Sequence, residues 1–78
     1  MNGYGYDTVL NAHGHGDTTV TVTWWGPQDV SPPSPQWFVG QARRYGGRMR
    51  LIHKGTLRTP WNGDLTVTYR FERTPADD

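Results

Sequence analysis

Two segments of the chain alternate between apolar and polar residues with a period of two, which is typical of a half-buried β-strand. They cover residues 18–25 (TTVTVTWW) and residues 65–72 (LTVTYRFE), and β-branched and aromatic side chains fill both. Both are therefore predicted to be strands whose apolar faces share one core. The inward-facing positions are Val20, Val22, Trp24, Leu65, Val67, Tyr69 and Phe71.

A glycine-rich turn precedes the first of these strands. Gly14, His15 and Gly16 fit a three-residue hairpin loop that places a glycine where a bulged hairpin needs a positive φ angle. Such a loop would pair the strand at residues 18–25 with a preceding strand and match their apolar faces. The predicted pairs are Tyr6–Trp24, Thr8–Val22 and Leu10–Val20.

A second turn is predicted at Gly46-Gly47, the double glycine expected of a two-residue hairpin with positive φ angles. Its arms would be strands at residues 37–45 and 48–54. In that register Arg43 stands directly opposite Arg50, a like-charge pair that is unfavourable unless an anion lies between the two side chains. The opposite face of this hairpin would join the core through Phe38, Ala42, Met49 and Leu51.

The third turn contains Asn62-Gly63, a strong short-range hairpin signal. A two-residue loop pairs Leu57 with Thr68, and a three-residue loop pairs Leu57 with Tyr69. The three-residue loop is preferred because it matches apolar faces.

Helix signals are weak along the whole chain. No window of 11 residues shows the helical apolar period, and residues 26–36 contain four prolines, which suit an extended crossover loop. The sequence therefore predicts an all-β domain over residues 1–73 and a polar tail at 74–78. Its architecture would be a small barrel or a two-layer sandwich of five to six short antiparallel strands.

The length of 78 residues limits the core that this domain can build. The chain has no cysteine, so no disulfide supports the fold. A domain of this kind obtains only ~3–5 kcal/mol from its own core, which favours association with other subunits in a homo- or hetero-oligomer. The N-terminal residues show neither a basic start nor an apolar run, so a cytoplasmic or virion location, without a signal peptide or a membrane span, is expected.

Charge is segregated although the net charge is only +1. Six of the eight Lys and Arg residues lie between residues 43 and 58, an interval without any acidic residue. This predicts a surface for an anionic partner, either an acidic protein or a nucleic acid; a charged, aggregation-resistant strand edge is the alternative. The residues assigned to that surface are Gln41, Arg43, Tyr45, Arg48 and Arg50, with Trp25, Trp37 and Trp61 as candidate aromatic contacts.

Enzyme chemistry has little support in the sequence. The carboxylates are scattered and no serine lies near a histidine, so neither catalytic residues nor a cofactor are predicted. His13 and His15 are weak candidates for a metal site, with His53 as a third ligand. The favoured function is a non-enzymatic structural subunit of a larger assembly, such as a virion component. A small-barrel nucleic-acid binder that uses residues 41–50 is the second hypothesis, and a carbohydrate-binding module is the third.

Overall fold

The computed structural model describes residues 3–13 and 16–75, and it shows one antiparallel sheet with a short helix on one face. The strands are β1 (Gly5–Ala12), β2 (Thr18–Gly26), β3 (Arg48–Arg58) and β4 (Leu65–Thr74), and helix α1 (Pro35–Arg43) connects β2 to β3. The strand order across the sheet is β1-β2-β4-β3. The domain was predicted to be all-β; its β character is confirmed, but the structure also contains one short helix. The closed barrel or sandwich of five to six strands is wrong, because the described residues form four strands in one open sheet.

The first hairpin has the predicted register. Tyr6 pairs with Trp24, and the neighbouring pairs continue without a shift to Ala12 and Thr18. The loop closes through the His13 amide, which donates to the Asp17 carbonyl at 2.7 Å, and Gly16 has a φ of 80°. Gly14 and His15 lie outside the described residues.

The core also forms as predicted from the alternating pattern. All seven inward-facing positions of β2 and β4 are buried, with exposed fractions between 0% and 8%. The two strands are antiparallel neighbours, so Val22 lies opposite Tyr69 and Trp24 opposite Val67. Burial of these apolar side chains on one face fixes the register, since a shift by one residue would expose them all.

Residues 37–45 do not form the predicted strand; most of them belong to α1. Ser34 is the residue before the first turn and Pro35 opens the helix, a position where its missing amide hydrogen costs nothing. Phe38 and Ala42, one helical turn apart, are buried against the sheet. The Phe38 ring stacks on Tyr69 with 4.2 Å between ring centroids. The helix thus covers the apolar sheet face that a second layer of strands was expected to cover.

The β3–β4 hairpin exists, but both predicted registers are wrong. Leu57 pairs with Thr66, and residues 59–64 form a longer loop closed by the Thr59 amide, which donates to the Asp64 carbonyl at 2.8 Å. Within that loop the Asn62 side chain accepts a hydrogen bond from the Asp64 amide at 2.9 Å. This side-chain turn extends the loop beyond the two or three residues that the Asn-Gly pair suggested.

Candidate functional site

An open groove of about 550 Å³ lies between α1 and β3, and we call it the arginine groove. It exists because the nine-residue helix does not cover the outer strand. Leu51 of β3 is 47% exposed, whereas Phe71, its partner on β4, is only 2% exposed. The lining residues are Val39, Arg43, Gly47, Arg48, Met49, Leu51 and Phe71.

Two arginines are among the residues that line this groove. Arg43 lies in the last turn of α1. Arg48 is the first residue of β3, so it lines the groove at the end of that strand, although strand alternation gives it the same parity as Arg50. Both side chains are exposed, and neither makes a hydrogen bond or ion pair with any residue in 3–13 or 16–75. Each guanidinium therefore has free donors, in the geometry that binds carboxylates or phosphates through two parallel hydrogen bonds.

Arg50, the third arginine of the predicted surface, lies elsewhere. It is opposite Glu72 on the sheet face that α1 does not cover, and its Nη2 donates to Glu72 Oε1 at 2.8 Å. The predicted opposition of Arg43 and Arg50 is wrong, because residue 43 belongs to a helix and β3 pairs with β4. The argument that an anion must relieve this like-charge pair does not hold.

Gln41 and Tyr45 line a second, smaller cleft of about 240 Å³ near β1, together with Tyr6, Thr8 and Arg44. The Tyr45 hydroxyl and Thr8 Oγ1 are 3.0 Å apart and share a hydrogen bond. Arg44 Nη1 donates to Gln41 Oε1 at 3.3 Å. The five residues assigned to one surface are thus divided among the arginine groove, this cleft and the uncovered sheet face.

The three candidate tryptophans also lie on different surfaces. Trp37 is half-buried, packed edge-on against Tyr6 and Phe38 with centroid distances of 5.0 and 4.9 Å. Trp25 is 41% exposed on the uncovered sheet face, and Trp61 is 83% exposed in the β3–β4 loop. The structure does not bring them together as one aromatic surface.

The histidines do not form a metal site in the described part of the chain. His13 Nε2 lies 3.0 Å from Thr19 Oγ1, His53 is on β3, and His15 is outside the described residues. Residues 3–13 and 16–75 contain no group of three or more His, Cys, Asp or Glu side chains arranged to hold a metal ion.

Sequence reasoning missed Arg73, which fixes the loop between α1 and β3. Its Nε donates to the Gly46 carbonyl at 2.9 Å, and Nη2 donates to the Tyr45 carbonyl at 3.3 Å. Nη1 reaches Thr18 Oγ1 at 3.4 Å. Arg73 has the same inward-facing parity on β4 as Phe71. An arginine at a position that faces the core could have indicated this structural role. It holds the segment that joins Arg43 to Arg48.

We expect Arg73→Ala to lower the free energy of unfolding by about 1–2 kcal/mol, because charge-assisted hydrogen bonds from a half-buried guanidinium are lost. Chemical denaturation followed by tryptophan fluorescence measures the change. Arg70→Ala on the uncovered face of the same strand is the matched control and should change stability by less than about 0.5 kcal/mol. Equal effects of the two substitutions would contradict the anchoring role.

No helix among the described residues is both long and apolar enough to cross a lipid bilayer.

Comparison with known proteins reveals no relative: no family model matches the sequence, and no curated protein or solved structure shows significant similarity to it.

Proposed function

We propose that this protein is a non-enzymatic interaction module that binds an acidic, partly apolar segment of another protein in the arginine groove. The observation that carries the proposal is that two exposed arginines, Arg43 and Arg48, line one groove together with apolar residues of α1 and β3. In this proposal the chain is a small subunit of a multi-protein assembly, such as a virion.

The composition of the groove favours a protein segment over a small substrate. The groove is open to solvent, since Leu51 in its lining is 47% exposed, so it does not exclude water from a reacting group as an active site does. Met49 offers a flexible side chain that adapts to different apolar partners. Carboxylates of the partner would bind the two guanidinium forks, while its apolar side chains cover Met49 and Leu51.

Nucleic acid is the weaker candidate because, among residues 3–13 and 16–75, no exposed aromatic ring lines the groove beside the two arginines. Single-strand binders combine cations with exposed aromatic rings. Phe71 is the aromatic residue among the described residues that line the groove, and it is only 2% exposed. Tyr45 lines the other cleft, and Trp37 is packed between two rings.

Replacing both groove arginines by alanine should weaken binding of a fluorescein-labelled peptide of alternating leucine and glutamate. Each guanidinium is worth up to about 1 kcal/mol at a solvent-exposed site, so the Kd should rise roughly 5- to 30-fold in Arg43→Ala/Arg48→Ala. Fluorescence anisotropy titration measures the Kd, and circular dichroism verifies that the variant remains folded.

Arg44→Ala is the matched control, since this neighbouring arginine lines the cleft near β1. It should leave the peptide Kd unchanged. Absence of peptide binding to the unmodified protein, or equal binding to the double variant, would refute the proposal. Tight binding of labelled oligothymidylate, with a steep salt dependence that the double variant reduces, would instead assign the groove to nucleic acid.

A further inference from the structure

The two outer strands of the sheet differ in how they are protected against pairing. The outer strand β3 contains four Lys and Arg residues, and its register shifts at a bulge between Leu51 and His53. Cationic side chains and bulges are the usual means of preventing strand addition at a sheet edge. The outer strand β1 (GYDTVLNA) has neither. Asp7 is its only charged residue, and its eight pairs with β2 run without a shift.

The free edge of β1 presents a regular row of backbone hydrogen-bonding groups. The His13 amide donates to the Asp17 carbonyl, so this pair is a hydrogen-bonded pair of the hairpin. Hydrogen-bonded pairs alternate with non-bonded pairs along an antiparallel ladder. The amides and carbonyls of Tyr6, Thr8 and Leu10 therefore point away from β2, towards solvent.

Apolar side chains accompany this free backbone. Tyr6 is 47% exposed, and Val9 and Leu10 are each 42% exposed. Tyr6 and Leu10 lie on the helix side of the sheet, and Val9 lies on the uncovered side. A regular edge with exposed apolar side chains on both faces is a template for a further strand.

We propose that β1 pairs antiparallel with β1 of a second copy of this chain, with Thr8 at the two-fold axis. In this register Tyr6 lies opposite Leu10 of the second copy, and Asp7 lies opposite Val9. Exposed apolar residues thus meet on the helix side, and the two Asp7 carboxylates are offset from each other. The two sheets form one continuous sheet of eight strands.

The sequence of β1 is what selects a second copy as its partner. A two-fold interface needs a surface that complements itself, and Tyr6 and Leu10 lie symmetrically about Thr8. The alternative pairing of β1 with β3 of another copy would join unlike edges into an open filament. The cations and the bulge of β3 oppose that arrangement. Because β1 and β3 are opposite edges of the sheet, this dimer leaves the arginine groove free.

Sedimentation velocity over a concentration series tests the dimer directly. The unmodified protein should reach the mass of two chains, and Leu10→Lys should raise the dimer Kd at least tenfold because it places two like charges in the interface. Leu10→Pro should have the same effect, since it removes an outward amide without breaking the β1–β2 ladder. Leu57→Lys, at an exposed apolar residue of β3, is the matched control and should dimerise normally.

An introduced cysteine tests the register, because the chain has no cysteine of its own. Thr8→Cys should give disulfide-linked dimers on mild oxidation, visible on a non-reducing gel. Thr56→Cys, exposed on β3, is the matched control and should remain a monomer on the same gel.

A single-chain mass at all concentrations would overturn the proposal. A dimer unaffected by Leu10→Lys, or cross-linking through Thr56 instead of Thr8, would also overturn it. Peptide binding in the arginine groove is measured separately and does not require the dimer, so failure of one proposal leaves the other standing.

Discussion

Val67→Asp is expected to unfold the isolated domain. Val67 is 7% exposed in the middle of β4, between Trp24 of β2 and Thr56 of β3. An unpaired carboxylate at such a position costs several kcal/mol, which equals or exceeds the ~3–5 kcal/mol that a core of this size supplies. Loss of the near-ultraviolet circular dichroism signal and of a cooperative denaturation transition would show the effect.

Thr68→Asp is the matched control for this substitution. Thr68 is the next residue of β4, but it lies on the uncovered face opposite Thr23 and Gly55. The carboxylate stays in contact with water there, so the expected loss is no more than about 1 kcal/mol, the range of strand propensities. A folded Val67→Asp variant, or an equally unfolded Thr68→Asp variant, would contradict the assignment of the two faces.

Gly47→Val is expected to cost about 3 kcal/mol or more. Gly47 has a φ of 84°, a conformation that costs a residue with a β-carbon roughly 1–2 kcal/mol. A β-carbon at this position would also lie 2.5 Å from the Thr74 carbonyl oxygen, so the loop and β4 would have to move apart. Urea denaturation of the variant and the unmodified protein measures the difference.

Gly46→Val separates the cost of the positive φ angle from the cost of the close contact with β4. Gly46 has a similar φ of 78°, but a β-carbon there would meet nothing within 4 Å. Only the cost of the positive φ angle remains, and we expect the free energy of unfolding to fall by about 1–2 kcal/mol. Equal losses for the two variants would show that the close approach of Gly47 to β4 does not contribute to stability.

Positive φ angles at Gly46 and Gly47 were predictable from the glycine pair, but their structural role was not. The residues were expected to join two paired strands, and they instead join a helix to a strand. Arg73 reaches this loop from the far end of the chain, and no local pattern indicates such a contact. The prediction named Arg43 and Arg48, the two arginines of the groove, but it placed them on a hairpin that does not form.

The sheet core and the first hairpin follow from the local sequence pattern. In β2 and β4 the alternation of apolar and polar residues, the β-branched composition and the adjacent turns all indicate the same structure. Only one register buries every apolar side chain, so local pattern and tertiary packing agree. The β1–β2 pairing follows in the same way from a short loop of fixed length.

The helical conformation of residues 35–43, and with it the arginine groove, depends on long-range packing. Phe38 and Ala42 are four residues apart, a spacing that keeps both on one face of a strand and on one face of a helix. The sequence pattern therefore does not distinguish the two. β3 pairs with β4, so residues 35–43 are not its strand partner. The apolar face of the sheet has to be buried against another element, and the helix buries it through Phe38 and Ala42. That helix is too short to cover β3, and the gap it leaves is the groove.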